Sequence, residues 1–302
     1  MSSGTERGIE IIPPEINLAE WVNGAKADPI KYRTRQITEI LLYAIGLGPS
    51  LKQDLVLKGG TLMSLAFDSS RSTGDVDFTS LSDPEPFTSG LRKELDGLLR
   101  RASADLGHFD LICQVQKITK RPRESNFETA NAPALQLTIA SAIRGTSEER
   151  RLFNGNASQV LDMEISFHEP VITARELRLA GAQVAVQAYT VTDLIAEKFR
   201  ALLQQVTRQR NRRQDVYDIA WIVGRIPLDA SDRAAILKAL HIKAGARNIK
   251  PTPTSLEHPE VIERARADWN SMTLEIAGKL PTFEESFKVV DAFYRALPWA
   301  SE

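Results

Sequence analysis

Hydrophobic residues recur along this chain with two periods, and the period changes near residue 188. Residues 159–167 alternate between apolar and polar side chains, which is typical of a half-buried β-strand. From Leu194 to Val206 the apolar residues recur every three or four positions, which indicates an amphipathic helix. The pattern predicts an α+β fold, with a mixed-sheet lobe over residues 1–188 and an α-helical lobe over residues 189–302.

Shorter patterns predict the other elements. Apolar runs predict further strands at residues 55–57, 75–78, 109–115, 134–143 and 183–188. Helical spacing and capping signals predict a helix after Asp28-Pro29, one within residues 86–106, one beginning near Gln214, and three more between proline-containing joints up to Ala296. Residues 126–133 and 144–157 are predicted to be loops, and residues 1–14 a loose lead-in.

Composition narrows the class of protein. The 38 Lys and Arg residues nearly balance the 39 Asp and Glu residues, so net charge does not indicate a nucleic-acid-binding protein, and any such surface must be local. The single cysteine, Cys113, excludes an internal disulfide framework and fits a reducing cytosol. No apolar run approaches the roughly 18 residues of a membrane span, and the N-terminus is polar. We therefore expect a soluble, cytoplasmic protein.

Several common types of site are absent from the sequence. The four histidines lack the spacing of metal ligands such as His-x-x-x-His. There is no Gly-x-Ser-x-Gly elbow, no Walker loop and no dinucleotide fingerprint. The chemistry is therefore expected to depend on carboxylates and cations.

The segment 57–78 carries the most informative motif. In a strand, Asp75 and Asp77 project from one face while the residues between and after them pack on the other. Two neighbouring carboxylates repel each other unless a divalent cation lies between them, and Mg²⁺ is the usual one beside phosphates. The turn Gly59-Gly60 allows backbone amides to approach the same phosphates closely. The combination predicts phosphoryl or nucleotidyl transfer.

Two further carboxylates, Asp162 and Glu164, lie on the polar face of the predicted strand at residues 159–167. The pattern supports two interpretations equally. Either one of these carboxylates completes a metal site with Asp75 and Asp77, or both belong to a solvated strand face.

A run of cations without an intervening acid follows: Lys198, Arg200, Arg208, Arg210, Arg212 and Arg213. Lys198 lies beside the apolar helix face, where it would neutralise triphosphate charge. The arginines suit phosphate contacts with RNA, or they form a solvated helix connection. Asp215 and Asp218 lie one turn apart on the same side. They either pair with neighbouring arginines or act near the metal, by polarising a substrate hydroxyl or orienting Lys198.

Together these blocks resemble the AbiEii-type toxin nucleotidyltransferases, within the DNA-polymerase-β-like nucleotidyltransferase superfamily. The resemblance covers residues 55–222 in order and residue type. It rests on Lys58-Gly59-Gly60-Thr61, on Arg71-Ser72-Thr73-Gly74-Asp75-Val76-Asp77-Phe78, on Glu197-Lys198-Phe199-Arg200-Ala201-Leu202, and on Arg213-Gln214-Asp215-Val216-Tyr217-Asp218-Ile219.

The resemblance implies Mg²⁺-dependent transfer of a nucleoside monophosphate from an NTP to RNA, notably the 3′ end of tRNA, by a toxin that a cognate antitoxin counters. By position, it implies catalytic roles for Asp75, Asp77, Lys198, Asp215 and Asp218. The implied nucleotide-binding residues are Lys58, Gly59, Gly60, Thr61, Arg71, Ser72 and Lys198. The implied metal ligands are Asp75, Asp77 and Glu164, with Asp162 as the alternative third carboxylate, and the RNA-binding residues are Arg208, Arg210, Arg212 and Arg213.

One position departs from the superfamily pattern, which often has Gly-Ser at the turn where this chain has Gly-Gly-Thr. Thr61 is then expected to supply the hydroxyl.

Two other functions compete with this interpretation. Asp75-Val76-Asp77-Phe78-Thr79 also fits the Asp-x-Asp-x-Thr signature of haloacid-dehalogenase-like phosphatases, but that signature needs a buried apolar strand directly before it, and residues 69–74 are polar. The second alternative is a non-catalytic RNA- or protein-binding module on the same fold. The presence of both aspartates together with Lys198 argues against it.

Overall fold

The computed structural model describes residues 15–181 and 183–299 of the 302-residue chain. The predicted lead-in over residues 1–14 lies outside the described residues. Eight strands form one sheet: β1 (Glu15–Ile16), β2 (Leu55–Lys58), β3 (Asp75–Ser80), β4 (Leu111–Arg121), β5 (Ala134–Ile143), β6 (Gln159–Ser166), β7 (Ala174–Leu179) and β8 (Val184–Tyr189).

The sheet is mixed, with the strand order β1-β7-β8-β2-β3-β6-β5-β4. Three neighbouring pairs are parallel, namely β1 with β7, β8 with β2, and β3 with β6. The other pairs are antiparallel. The parallel pairing of β3 with β6 places Asp75 opposite Asp162 and Asp77 opposite Glu164. The two predicted carboxylate pairs therefore lie side by side within the sheet.

Helices follow the strands along the chain. Those before the end of β8 are α1 (Leu18–Asn23), α2 (Pro29–Leu47), α3 (Pro49–Asp54), α4 (Gly59–Ala66), α5 (Pro84–Thr88), α6 (Leu91–Asp105) and α7 (Ser147–Phe153). Those after it are α8 (Val191–Arg208), α9 (Arg213–Val223), α10 (Ala230–Gly245), α11 (Pro259–Arg266) and α12 (Phe283–Arg295). Short 3₁₀ helices cover Glu124–Asn126, Ser255–Glu257 and Trp269–Leu274. The predicted α+β class is confirmed.

The sequence signals at the ends of the helices explain where several of them begin. Asp28 caps α2 by accepting from the amides of Ile30 and Lys31, each at 3.1 Å, and Pro29 occupies the first turn. Thr190 caps α8 by accepting from the amide of Asp193. Helix α8 therefore begins where the hydrophobic period changes from two to nearly four.

The alternation predicted in β3 and β6 is confirmed. Val76 and Phe78 are fully buried in the core, and Leu161, Met163 and Ile165 of β6 are buried there too, whereas the carboxylates lie on the opposite face. On the apolar side, α2 and α6 pack against each other and against the sheet. The polar face of β3 is turned towards α8 and α9. This arrangement leaves the carboxylates between the sheet and the C-terminal helices.

Two predicted elements differ from the structure, and three observed elements were not predicted. The strand predicted at residues 109–115 begins at Leu111 and continues to Arg121, through an irregularity between Val115 and Lys117. The predicted loop at residues 144–157 contains α7, because Thr146 caps it and Leu152 is buried beneath it. The helix was predicted as a loop because most of its residues are polar. The strands β1 and β7 and the helix α3 are absent from the prediction because each buries only one or two side chains.

One continuous core of buried residues extends from the helices that precede β2 to those that follow β8. The proposed division of the chain into two lobes at residue 188 stays a prediction. Within the described ranges, none of the helices combines the length and hydropathy needed to cross a bilayer.

Candidate active site

A cleft of about 650 Å³ lies between the polar face of the sheet and helices α8 and α9. It brings together most of the residues singled out in the sequence: Lys58, Gly59, Gly60, Arg71, Ser72, Asp75, Asp77, Asp162, Glu164, Lys198, Arg210, Arg212 and Asp215. Four predicted residues do not line it: Thr61, Arg208, Arg213 and Asp218. The cleft therefore joins motifs that are more than 100 residues apart.

One side of the cleft, which we call the carboxylate wall, consists of Asp75, Asp77, Asp162 and Glu164. Burial and the neighbouring charge of Asp75 raise the pKa of Asp77 to about 7, and Glu164 adds to the shift. Among the described residues, none donates a hydrogen bond to the Asp77 side chain. Lys58 and Lys198 lower the pKa of Asp77 but offset only part of the shift, so its charge is incompletely compensated.

The other members of the carboxylate wall accept hydrogen bonds from uncharged side chains. The Thr73 hydroxyl donates to Asp75. Glu164 accepts from the Gln136 amide at 3.3 Å, and Asp162 accepts from the Thr138 hydroxyl at 3.4 Å. All these donors are neutral. They fix the direction of the carboxylates without neutralising them.

The glycine turn fits tightly against this wall. Gly59 has a φ of +70°, and a Cβ there would overlap the Asp77 carboxylate. A Cβ on Gly60 would lie 2.9 Å from the Thr73 side chain and 3.0 Å from Arg71 Nη2. Helix α4 begins at this turn, and Lys58 at its N-cap makes no capping bond through its side chain. The first amides of α4 are therefore placed to receive phosphate oxygens.

Thr61 has a structural role in this geometry. Its side chain is buried, and its hydroxyl donates to the Asp75 carbonyl oxygen at 2.7 Å. It ties α4 to the first residue of β3 and does not reach the cleft. The expected hydroxyl at the turn is therefore not presented by Thr61.

Opposite the carboxylates lies the paired-cation wall, formed by Arg71 and Lys198 with Asp215, Asp218 and Glu275. Lys198 Nζ lies 2.7 Å from Asp218 and 3.0 Å from Asp215. Arg71 binds Asp218 through two parallel hydrogen bonds of 3.0 and 2.8 Å. It also lies 3.8 Å from Glu275. Each cation is therefore matched by at least one buried acid.

These contacts define the roles open to the two late acids. Asp218 is completely buried, does not line the cleft, and binds both Arg71 and Lys198. Asp215 lines the cleft and lies 3.8 Å from Arg212. Burial alone would raise the pKa of Asp218, but Arg71 and Lys198 outweigh burial and hold the pKa below its usual value. Burial alone would lower the pKa of Lys198, but Asp218 and Asp215 keep it raised.

A third group of charges at the cleft joins residues of the predicted motifs to one acid that was not foreseen, Glu169. We call it the Glu169 cluster: Lys58, Glu169, Glu197 and Arg200, all of which line the cleft. Lys58 donates to Glu169 and, at 3.2 Å, to Ser166. Arg200 pairs with Glu197 and lies 3.7 Å from Glu169.

The local sequence gave little indication that three acids, Glu169, Glu197 and Glu275, would lie at the cleft. Glu169 follows the end of β6 and has no periodic neighbour. Glu275, which holds Arg213 at 3.4 Å and Gln214 at 2.8 Å, directly follows the 3₁₀ helix Trp269–Leu274, far along the chain. Glu197 was visible beside Lys198 in the same motif, but nothing in its spacing distinguishes it from a solvated residue.

The arginines that follow α8 occupy different places. Arg210 and Arg212 line the cleft, Arg208 is exposed at the end of α8, and Arg213 is held by Glu275. Within the described residues, Arg208 and Arg210 form neither an ion pair nor a hydrogen bond. Their charges are available to an anionic ligand.

The donor set suits a hard divalent cation. No three His, Cys, Asp or Glu side chains in the described part of the chain stand arranged to hold a metal ion. However, Asp75 and Asp77 crowd together without a cation between them, and Glu164 faces Asp77 from the next strand. Carboxylate oxygens of this kind are the ligands that Mg²⁺ prefers. The residues present therefore fit the metal that the resemblance implies.

The model of the family described as "Nucleotidyl transferase AbiEii toxin, Type IV TA system" matches residues 40–295. The chain belongs to the AbiEii nucleotidyltransferase toxin family. It is thus a nucleotidyltransferase, and membership of this family implies an antitoxin partner. The phosphatase and the non-catalytic module lose their support.

Two solved structures are similar to this AbiEii protein. MenT4, a nucleotidyltransferase toxin from Mycobacterium tuberculosis, is 15% identical, with a TM-score of 0.57 over 93% of this chain and 90% of that chain. JHP933 from Helicobacter pylori is 14% identical, with a TM-score of 0.46 over 87% of this chain and 90% of that chain. No curated protein matches the sequence. The likeness to MenT4 confirms a nucleotidyltransferase toxin fold.

Proposed function

We propose that this AbiEii toxin transfers a nucleoside monophosphate from an NTP to the 3′ end of an RNA, namely a tRNA, in a Mg²⁺-dependent reaction. The observation that carries the proposal is the cleft itself. It sets the undercompensated carboxylate wall against the paired-cation wall, with the glycine turn between them. Since NTPs and tRNA share the cytoplasm, we place the reaction there.

The triphosphate has three groups of donors in this cleft. The first amides of α4 offer N–H groups, and the helix dipole favours an anion at the same point. Lys198 and Arg71 add two fixed positive charges, and Lys58 adds a third. Because Asp215, Asp218 and Glu169 hold these cations, little side-chain entropy is lost when the nucleotide binds.

Asp75 and Asp77 would hold Mg²⁺, with Glu164 as the third carboxylate and Asp162 as the alternative. When bound, Mg²⁺ supplies Lewis-acid stabilisation of the phosphoryl charge and favours ionisation of an acceptor hydroxyl. The chain's own contribution is orientation. Gly59 packs against Asp77, Thr73 directs Asp75, and Gln136 directs Glu164.

In the proposed reaction the acceptor 3′-oxygen attacks the α-phosphorus, and the bond to the bridging oxygen of pyrophosphate breaks. The acceptor loses its proton and pyrophosphate leaves with the electron pair. Lys198, Arg71 and the α4 amides stabilise the charge on the phosphates during this transfer. Asp218 acts only through the two cations that it positions.

The acceptor is proposed to enter past Arg210 and Arg212. Both lie at the cleft, and Arg208 lies exposed beyond them. Arginine side chains bind phosphates without reading the sequence of bases, so this entrance suits an RNA backbone. Arg213 is the exception among the four predicted residues, because Glu275 already holds it.

The test is to incubate the purified protein with Mg²⁺, total tRNA and each of the four α-³²P-labelled NTPs in turn, beside an Asp75→Ala variant. We expect label to join RNA with the wild type only, which also identifies the donor nucleotide. Label on protein would keep the chemistry and replace the acceptor. No label with any donor, from folded protein, would overturn the proposal.

A further inference from the structure

Two paired backbone segments separate the catalytic cleft from a second pocket. The Ser72 amide donates to the Glu275 carbonyl at 2.7 Å, and the Ala277 amide donates to the Ser70 carbonyl at 3.1 Å. On one side of this ribbon, Arg71, Ser72 and Glu275 line the cleft. On its other side, Ser70 and Ala277 line a pocket of about 430 Å³. The two cavities therefore share a wall only two strands of backbone wide.

We call the second cavity the aromatic pocket. Its floor includes Tyr217 and Trp221 of α9, whose ring centroids are 5.8 Å apart, and Val289 of α12. Hydrogen bonds fix both rings: the Tyr217 hydroxyl lies 3.0 Å from Ser70 Oγ, and Trp221 Nε1 donates to the Phe67 carbonyl at 2.9 Å. The floor is thus rigid, aromatic and tied to the segment that leads into β3.

The rim of the aromatic pocket is positively charged. Arg225 lies over the Trp221 ring, with its Cζ 3.3 Å from the ring centroid, and Lys279 lies nearby on the rim. Neither cation forms an ion pair with an acid among the described residues. The acid at the pocket, Glu285, accepts two 2.9 Å hydrogen bonds from Thr282 as part of a helix cap. An aromatic floor whose edge carries two cations without an ion-pair partner among the described residues is suited to a ligand that has both a ring and a negative charge.

Helix α9 connects this pocket to the cleft. Arg212 and Arg213 lie at its N-terminal end, and Arg225 lies two residues beyond its C-terminal end. Its 11 residues span about 16 Å, a distance that a few nucleotides of single strand can cover. Cations therefore mark both ends of one path along the outside of the ribbon.

We infer that the aromatic pocket binds an unpaired nucleotide of the acceptor RNA, a few positions before the 3′ end that reacts in the cleft. This inference rests on the proposed function. The base would stack on the Arg225 guanidinium, which covers the Trp221 ring, and the adjoining phosphates would contact Arg225 and Lys279. Single-stranded RNA is commonly bound in this way, through stacking on aromatic rings or arginine guanidinium planes and charge contacts with the backbone.

An acidic peptide with a bulky apolar side chain is the other ligand of similar chemistry. The position of the pocket favours RNA, because it lies one ribbon away from a cleft whose entrance carries Arg210 and Arg212. A peptide ligand would not explain why cations lie at both ends of α9, between the pocket and the cleft. Binding of such a peptide is one outcome of the test.

The first measurement is the binding of a fluorescein-labelled, eight-nucleotide single-stranded RNA, followed by anisotropy over a series of salt concentrations. We compare the wild type with the double variant Arg225→Ala/Lys279→Ala. Lys238→Ala serves as the matched control, since Lys238 is exposed on α10 and does not line the aromatic pocket. The double variant should bind roughly tenfold or more weakly, and the slope of log Kd against log salt should fall by about 1.4. Lys238→Ala should behave like the wild type.

The second measurement is nucleotide transfer by the same proteins. The double variant should raise the KM for the eight-nucleotide acceptor and leave kcat and the KM for NTP unchanged. With a dinucleotide acceptor, too short to reach the aromatic pocket, wild type and variant should have the same KM. A structural defect in the double variant would instead change the KM for the dinucleotide and for the eight-nucleotide acceptor alike.

The outcomes separate this inference from the proposed function. Equal Kd and equal KM for the wild type and the double variant would overturn the inference, and an acidic peptide would then be the ligand to test. Weaker RNA binding by the double variant, with no transfer to any acceptor by the wild type, would retain the pocket as an RNA site and overturn the proposed reaction.

Discussion

The two walls of the catalytic cleft handle charge in opposite ways. Across the paired-cation wall, Arg71 and Lys198 are bound to buried acids through hydrogen bonds of 2.7 to 3.0 Å. Across the carboxylate wall, Asp75 and Asp77 have only neutral donors or none, and the pKa of Asp77 is raised to about 7. In the paired-cation wall, side chains of the protein itself balance the charges. In the carboxylate wall, they do not balance them fully.

The two walls therefore differ in how far their geometry is fixed before a ligand binds. The cations are pre-organised, so they hold their geometry whether or not a nucleotide is bound. The carboxylates are held close together at a cost to stability, and the divalent cation of the proposed function would relieve that cost on binding. A loss of stability of this kind is common at functional sites.

The largest expected effect comes from Asp77→Asn. The change removes a metal ligand, so transfer should fall by about 10²- to 10³-fold or more. Because it also removes a buried charge that its neighbours repel, the Tm measured without Mg²⁺ should rise. Transfer assays and thermal melts in EDTA check the two halves. A lower Tm would mean that Asp77 is compensated after all, and the contrast between the walls would fail.

Asp218→Ala tests the opposite wall. It leaves Arg71 and Lys198 buried without their shared acid, and breaking a buried ion pair costs about 3–5 kcal/mol of the free energy of unfolding. Urea denaturation measures this. Asp215→Ala is the matched control: it removes one partner of Lys198 and none of the hydrogen bonds to Arg71, so it should cost much less. Equal losses would show that the wall does not depend on Asp218.

A third pair of variants sharpens the carboxylate wall by choosing between its outer members. Glu164 lies opposite Asp77 and contributes to its raised pKa, whereas Asp162 lies opposite Asp75. Glu164→Gln should lower transfer at limiting Mg²⁺ by about ten- to a hundredfold, and Asp162→Asn should change it little. Titrating Mg²⁺ against the transfer rate gives the comparison. The reverse order would assign the third ligand to Asp162.

The smallest expected effect is a pH-dependent one at Glu169. Burial alone would raise its pKa, but Lys58 and Arg200 outweigh burial and hold the pKa well below its usual range. A lowered folded pKa stabilises the protein above the unfolded value near 4.5, and this is lost as the pH falls through the folded pKa. Glu169→Gln should therefore cost about 1–3 kcal/mol at pH 7, and less as the pH falls below about 4.5. A cost independent of pH would contradict this.

Periodicity was sufficient to predict the faces of the strands. In β3 and β6 strict alternation puts every second side chain on one side, so Asp75 and Asp77, and likewise Asp162 and Glu164, had to share a face. It could not predict the register between these strands. That register depends on a connection of more than 70 residues, and it decides which carboxylate lies opposite Asp77.

Residues that reach the site through tertiary packing were beyond prediction. Glu169 and Glu275 belong to irregular segments, where neither period two nor period 3.6 indicates a direction. Asp218 was found by its spacing, but only its burial shows that it positions cations and does not meet a substrate. The family and the α+β class are confirmed, while the catalytic roles of the individual residues stay predictions.

The ribbon between the two cavities has a consequence for synthesis of the chain on the ribosome. Ser70 and Ser72 pair with residues more than 200 positions later, and Arg71 finds its acid at Asp218. A nascent chain that has not yet exposed residue 277 beyond the ribosome therefore lacks its finished cation wall. The cleft is therefore completed late in synthesis, well after the residues of the carboxylate wall have been added to the chain.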